Sequence, residues 1–141
     1  MPWTPPPNWT ETQSILKQSG QVILDSNGNG VLNFDPPNAR TRWVVESVVV
    51  STNQAATATT VPVATLAKNT VSFSTMSQGN NYGQTWSGNQ DVFNGDMDIG
   101  PCDFMAVLFT PPPGATPTQI TTLAGTIAYA QVSGVSYQRR Q

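Results

Sequence analysis

Arg42-Trp43-Val44-Val45-Glu46-Ser47-Val48-Val49-Val50-Ser51-Thr52 is the stretch on which the fold turns. Valine loses side-chain freedom in a helix and packs well on a pleated surface, so this run predicts a strand. Its apolar residues fall on both parities, Val45 and Val49 with Val44, Val48 and Val50. That pattern predicts burial on both faces of the strand.

Toward the N-terminus, Asp35-Pro36-Pro37-Asn38 breaks the chain. Before it, Gln21-Val22-Ile23-Leu24 and Val31-Leu32-Asn33-Phe34 read as two strands around Ser26-Asn27-Gly28-Asn29-Gly30. Asn and Gly tolerate positive φ, so the predicted element is a hairpin. Further back, Thr10-Glu11-Thr12-Gln13 matches the Ser/Thr-x-x-Glu/Gln capping box, with Ile15 and Leu16 following. It predicts a short helix over about 11–18, stopped by Gly20 and docked on the sheet or a partner, since so short a helix is unstable alone. Residues 1–9 hold Pro2, Pro5, Pro6 and Pro7 with Trp3 and Trp9. Proline fixes φ and removes a donor, so this segment reads as an extended arm. Its tryptophans either dock on a partner or fold back on their own domain.

Toward the C-terminus, Val61-Pro62-Val63-Ala64-Thr65-Leu66 predicts a strand, placed at an edge or bulge by Pro62. Val71 to Ser74 is a further short strand. Residues 77–91 read as a long polar loop carrying Tyr82 and Trp86. Strands follow at Phe104 to Phe109 and Gly125 to Tyr137, separated by a Thr110-Pro111-Pro112-Pro113 break. The expected fold is all-β: a single antiparallel β-sandwich or jelly-roll-like domain over 20–141, with the Pro/Trp-rich arm and one short helix over 1–19.

Composition narrows the function. Only 10% of the 141 residues are charged, the net charge is −2, and Ser, Thr, Asn and Gln take the place of charge. Nucleic-acid binding needs clustered Lys and Arg. Here Lys17, Arg40, Arg42, Lys68, Arg139 and Arg140 are scattered, so no nucleic-acid partner is expected. The N-terminal segment has neither a basic n-region nor an apolar h-region, and no apolar run is long enough to span a membrane. With no histidine, Ser-His-Asp triads, Cys-His dyads and His-ligated metals are all excluded. Two glutamates, Glu11 and Glu46, sit in the capping box and the valine strand, and nothing in the sequence recommends a pair of Asp carboxylates for glycoside hydrolysis. The chain is expected not to be an enzyme.

Two acidic stretches remain. Asp25-Ser26-Asn27-Gly28-Asn29-Gly30 matches the first half of an EF-hand loop, but position twelve is Pro36 rather than Glu, and a turn explains the same residues. Asp91, Asp96, Asp98 and Asp103 form an oxygen-rich group that suits Ca²⁺, a turn or an interface; turn or interface is preferred. Cys102 has no second Cys or His and reads as a packed thiol. No metal or cofactor is expected. The partner-binding candidates are Trp3, Trp9, Tyr82 and Trp86, the last two suiting a sugar or a protein equally.

The order of several features resembles a family of small β-domain virion proteins of actinobacteriophages, head-decoration (minor capsid) or minor tail proteins. The features are Trp3-Thr4-Pro5, the strand Arg42 to Thr52, Ser87-Gly88-Asn89-Gln90-Asp91, an apolar strand before Pro113-Gly114-Ala115, and Gly134 to Tyr137. Where members carry Pro-Gly-Glu, this chain has Gly100-Pro101-Cys102. The resemblance implies a virion structural role on the capsid surface, bound to the major capsid protein as a homo-oligomer, with a trimer expected. The alternatives are a minor tail or tail-tip protein bound to tail proteins, and a carbohydrate-binding module for host glycans.

Overall fold

The computed structural model describes residues 10–55, 57–69, 81–87, 90–101 and 103–140. In chain order the elements are β1 (Thr10–Ile23), β2 (Gly30–Phe34), β3 (Thr41–Thr52), β4 (Val63–Lys68), β5 (Asn81–Ser87), β6 (Gln90–Ile99), β7 (Met105–Thr110), α1 (Pro117–Leu123) and β8 (Ile127–Arg140). One sheet has the order β1-β8-β3-β6 and the other β2-β7-β4-β5, with antiparallel pairing throughout. Every connection except β4 to β5 passes from one sheet to the other. This alternation wraps a double-sheet jelly roll, so the expected all-β sandwich is the fold.

The core lies between the sheets. Leu16, Trp43, Val45, Val48, Met97 and Val132 from the first sheet meet Phe34, Leu66, Met105, Val107 and Phe109 from the second, all buried. Each such side chain contributes on the order of 1.5–3 kcal/mol by leaving water.

The valine strand is buried by a different logic from the one its sequence predicts. Thr41, Trp43 and Val45 point inward, and so do Val48 and Val50. The inward parity switches because the register shifts between Val45 and Ser47: β3 holds an extra residue against Gly134 and Ser133 of β8, while against β3 the extra residue lies on β6, between Asn94 and Met97. Glu46 is the extra residue and is exposed. Val44 and Val49 stay half-buried on the outer face. Apolar residues on both parities therefore record a bulge, not two-faced burial. True two-faced burial belongs to β7 and β4, where Met105 to Phe109 and Ala64 to Ala67 are buried without a break. On the outer face of that sheet Ala67, Ala106 and Leu108 form a second cluster with Val31 and Phe104.

Several expectations are corrected. The predicted helix over 11–18 is strand: β1 pairs with β8 at every residue from Thr10 to Ile23. A single helical turn or two cannot compete with a ladder of that length. Among the described residues the one helix is α1, whose start is a complete capping box. Thr116 accepts from the Gln119 N–H, Gln119 returns the bond to the Thr116 N–H, and Pro117 opens the first turn. The predicted hairpin around Gly28 is a crossover, because β1 and β2 belong to different sheets. Its turn is held by Asp25, whose Oδ1 accepts from the N–H groups of Asn27 (2.8 Å) and Asn29 (3.0 Å), with Gly28 at φ 76°. β4 is an interior strand between β7 and β5, and Pro62 precedes it rather than marking an edge. The expected strand at Val71 to Ser74 lies outside the described residues.

Candidate assembly surface

The outer face of the first sheet is built from the register of β1, β8, β3 and β6. One row runs Ile15, Val135, Val44, Asp98; the next runs Gln13, Tyr137, Arg42. Farther along the strands come Ser19, Gln131 and Val49, then Gln21, Tyr129 and Ser51, then Ile23 and Ile127. Alternation places these residues on the face opposite the core. The surface is mainly polar and carries the charges of Lys17, Arg42, Glu46 and Asp98, with two large apolar exceptions: Ile15 is 86% exposed and Ile23 63% exposed. Both lie on β1, the edge strand.

Arg42 is a deeply held charge on this face. Its Nη1 donates to Asp98 Oδ1, and its guanidinium lies over the Tyr137 ring, 4.5 Å from the centroid. Tyr137 is its register partner on β8, and Asp98 lies opposite the nearby Val44 on β6. The planar cation is covered by a ring and neutralised by a carboxylate, which allows an arginine to be buried on a sheet's outer face. Three strands are tied together at this point.

A second polar cluster closes one end of the sandwich, between β4 and the β6–β7 connection. Asn69, at φ 60°, donates through Nδ2 to Asp103 Oδ1 (3.0 Å) and accepts at Oδ1 from the Phe104 N–H (2.9 Å). Asp103 Oδ2 accepts from the Gly100 N–H (3.2 Å) and faces Lys68 Nζ at 3.5 Å. The Asn69 bond, helped by Gly100 and the Lys68 charge, holds the Asp103 carboxyl below its ordinary value against the opposing effect of burial.

The acidic group from Asp91 to Asp103 is thus divided. Asp98 serves Arg42 and Asp103 serves Asn69 and Lys68; the side chains of Asp91 and Asp96 lie outside the described residues. Among the described residues no group of three or more His, Cys, Asp or Glu is placed to hold a metal. No described helix is long and apolar enough to cross a membrane.

Trp3 and Trp9 lie outside the described residues. Tyr82 and Trp86 fall on β5, an edge strand of the second sheet, rather than in a loop over 77–91; their side chains are not described. What the sequence reading missed is the open edge of β1. Its apolar signal, Ile15 beside Leu16, was absorbed by the expected helix. A shallow depression of about 290 Å³ also lies on the outer face, lined by Ser19, Gln21, Val49, Ser51, Tyr129 and Gln131 among others.

No family model matches the sequence, and no curated protein matches it. Solved structures do share its fold. A chain from empty-head turnip yellow mosaic virus is 12% identical, with a TM-score of 0.51, over 99% of this chain and 85% of that one. A second turnip yellow mosaic virus structure is 11% identical at a TM-score of 0.49, over 99% and 85%. The acidic stable capsid of Helicobacter pylori bacteriophage KHP30 is 9% identical at 0.49, over 91% and 93%.

Proposed function

We propose that this chain is a virion structural protein, a minor capsid protein that decorates a capsid shell. The observation that carries the reading is the jelly-roll strand order, which takes in all eight described strands, in a fold that matches the turnip yellow mosaic virus chain over 99% of this one. The architecture serves viral capsids and also lectins and cupins, so the surface must choose among them. A polar, sparsely charged outer sheet with exposed Ile15 and Ile23 suits shallow contacts repeated by symmetry, which gain strength from number. Trp3 and Trp9 then anchor the arm on the shell, and the domain acts without a cofactor as a homo-oligomer.

The test is copy number in purified particles, by quantitative mass spectrometry against the major capsid protein. A stoichiometry comparable to the shell is expected. A few copies per particle would move the chain to the tail, and none would overturn the virion reading.

One observation favours a second reading, a module for host glycans. The depression around Tyr129 is lined by neutral hydrogen-bonding groups and one aromatic ring, a composition that suits sugar hydroxyls. Glycan-array binding lost in Tyr129→Ala would support it, and an array with no signal would remove it.

A further inference from the structure

We propose that β1 is a self-association edge, pairing antiparallel with β1 of a second copy about a two-fold axis at Ser14. The contact stands on the strand itself and not on the virion reading.

A free strand edge presents unpaired N–H and C=O groups, and proteins usually blunt it by brevity, bulges, proline or charge. The other three edges here show such devices. β2 has five residues, β5 is seven long and shifts register against β4, and β6 is interrupted opposite the Glu46 bulge. β1 has 14 residues, no proline, an unbroken register with β8, and Glu11 and Lys17 as its two charges. From Thr12 to Ser19 every residue but Leu16 is exposed. Thr12, Ser14 and Gln18, which alternate with the outward residues, are exposed too, and from this part of the strand Leu16 alone reaches the core.

The occupant is identified by charge. β1 carries two charged residues, Glu11 and Lys17, six positions apart and centred on Ser14. Antiparallel pairing about Ser14 places Glu11 opposite the partner's Lys17 and Lys17 opposite the partner's Glu11. It also sets Gln13 opposite the partner's Ile15, so the two exposed Ile15 side chains become diagonal neighbours within contact range. Opposed residues share parity in this register, so both copies keep their cores on the same side. A two-fold axis at Lys17 would instead oppose the two lysines. The result is a continuous eight-stranded sheet, an isologous contact that closes as a dimer.

The experiment uses the full chain. Sedimentation should show a concentration-dependent dimer. Lys17→Glu, which creates two repulsive pairs, should weaken it by about tenfold, and adding Glu11→Lys should restore it. In a Cys102→Ser background, Ser14→Cys should cross-link to its own copy under a mild oxidant far faster than Ser19→Cys. Thermal unfolding run in parallel separates lost pairing from lost folding. A protein monomeric at every concentration, a dimer indifferent to both charge variants, or equal cross-linking at positions 14 and 19 would overturn the proposal.

Discussion

Gly134 on β8 lies so close to β3 that a Cβ there would stand 2.1 Å from the Val44 carbonyl oxygen and 2.9 Å from the Glu46 nitrogen. Real side chains do not tolerate such distances, so the glycine and the bulge specify each other. Glu46 is the inserted residue, and the absent side chain on β8 is what lets the bulged backbone pass. Through that contact the parity of the valine strand, and with it the composition of the core, is set.

Gly134→Ala should therefore be among the most damaging single changes in the chain. The new methyl meets backbone rather than a side chain that can rotate away, so a loss of about 3 kcal/mol or more is expected. Denaturant unfolding of the variant checks it. A loss below about 0.5 kcal/mol, the usual effect of a surface change, would show that the bulge relaxes.

Arg42 should matter more to stability than its carboxylate partner. The Arg42 side chain is 6% exposed and covered by Tyr137, whereas the Asp98 side chain is 54% exposed. Arg42→Ala loses the ring contact and the packed stem, and should cost about 1–3 kcal/mol. Asp98→Asn removes a largely solvated charge and should cost less than about 1 kcal/mol. Equilibrium unfolding of the two variants, compared at one pH, gives the order.

Asp103 predicts an acid-sensitive end of the sandwich. Its folded carboxyl is held below the ordinary value, first by the Asn69 bond. The stabilisation is therefore fully present above the unfolded value of about 3.9 and is lost as pH falls from there through the folded value. Asp103→Asn should flatten the stability-versus-pH curve in that acid range and leave its shape near neutrality unchanged. Thermal melts from neutral to acid pH, compared for the two proteins, read this out.

Thr116→Ala should destabilise α1 by about 1 kcal/mol, because the first-turn Gln119 N–H loses its acceptor. Thr116→Ser should keep the cap and nearly all of the stability. Amide exchange at Gln119, followed for both variants, localises the effect to the helix start.

The comparison of two Thr-x-x-Gln boxes shows where sequence reading reached its limit. Thr10-Glu11-Thr12-Gln13 and Thr116-Pro117-Thr118-Gln119 satisfy the same local rule, yet the first is strand and the second is helix. Pro117 pre-sets the second for a first helical turn and bars it from a central ladder. The first has no such restriction and lies opposite the long β8, whose pairing outweighs a local cap. The candidate site was legible to a similar degree. The missing histidine could be read directly, and it removes the His-based triads and metal sites; the association edge was hidden, because only the ladder shows which strands end a sheet.

The sequence by itself determined the class of the molecule: β-branched runs, Asn/Gly and Pro breaks and sparse charge demand sheets, and they leave little means for catalysis. The tertiary structure alone decided which strands neighbour one another, which parity of β3 faces the core, and which edge stays open. The physical reason is that propensity and turn chemistry act within a few residues. Pairing, by contrast, joins positions such as Thr10 and Arg140 at opposite ends of the chain, where only the assembled sheets can select the partner.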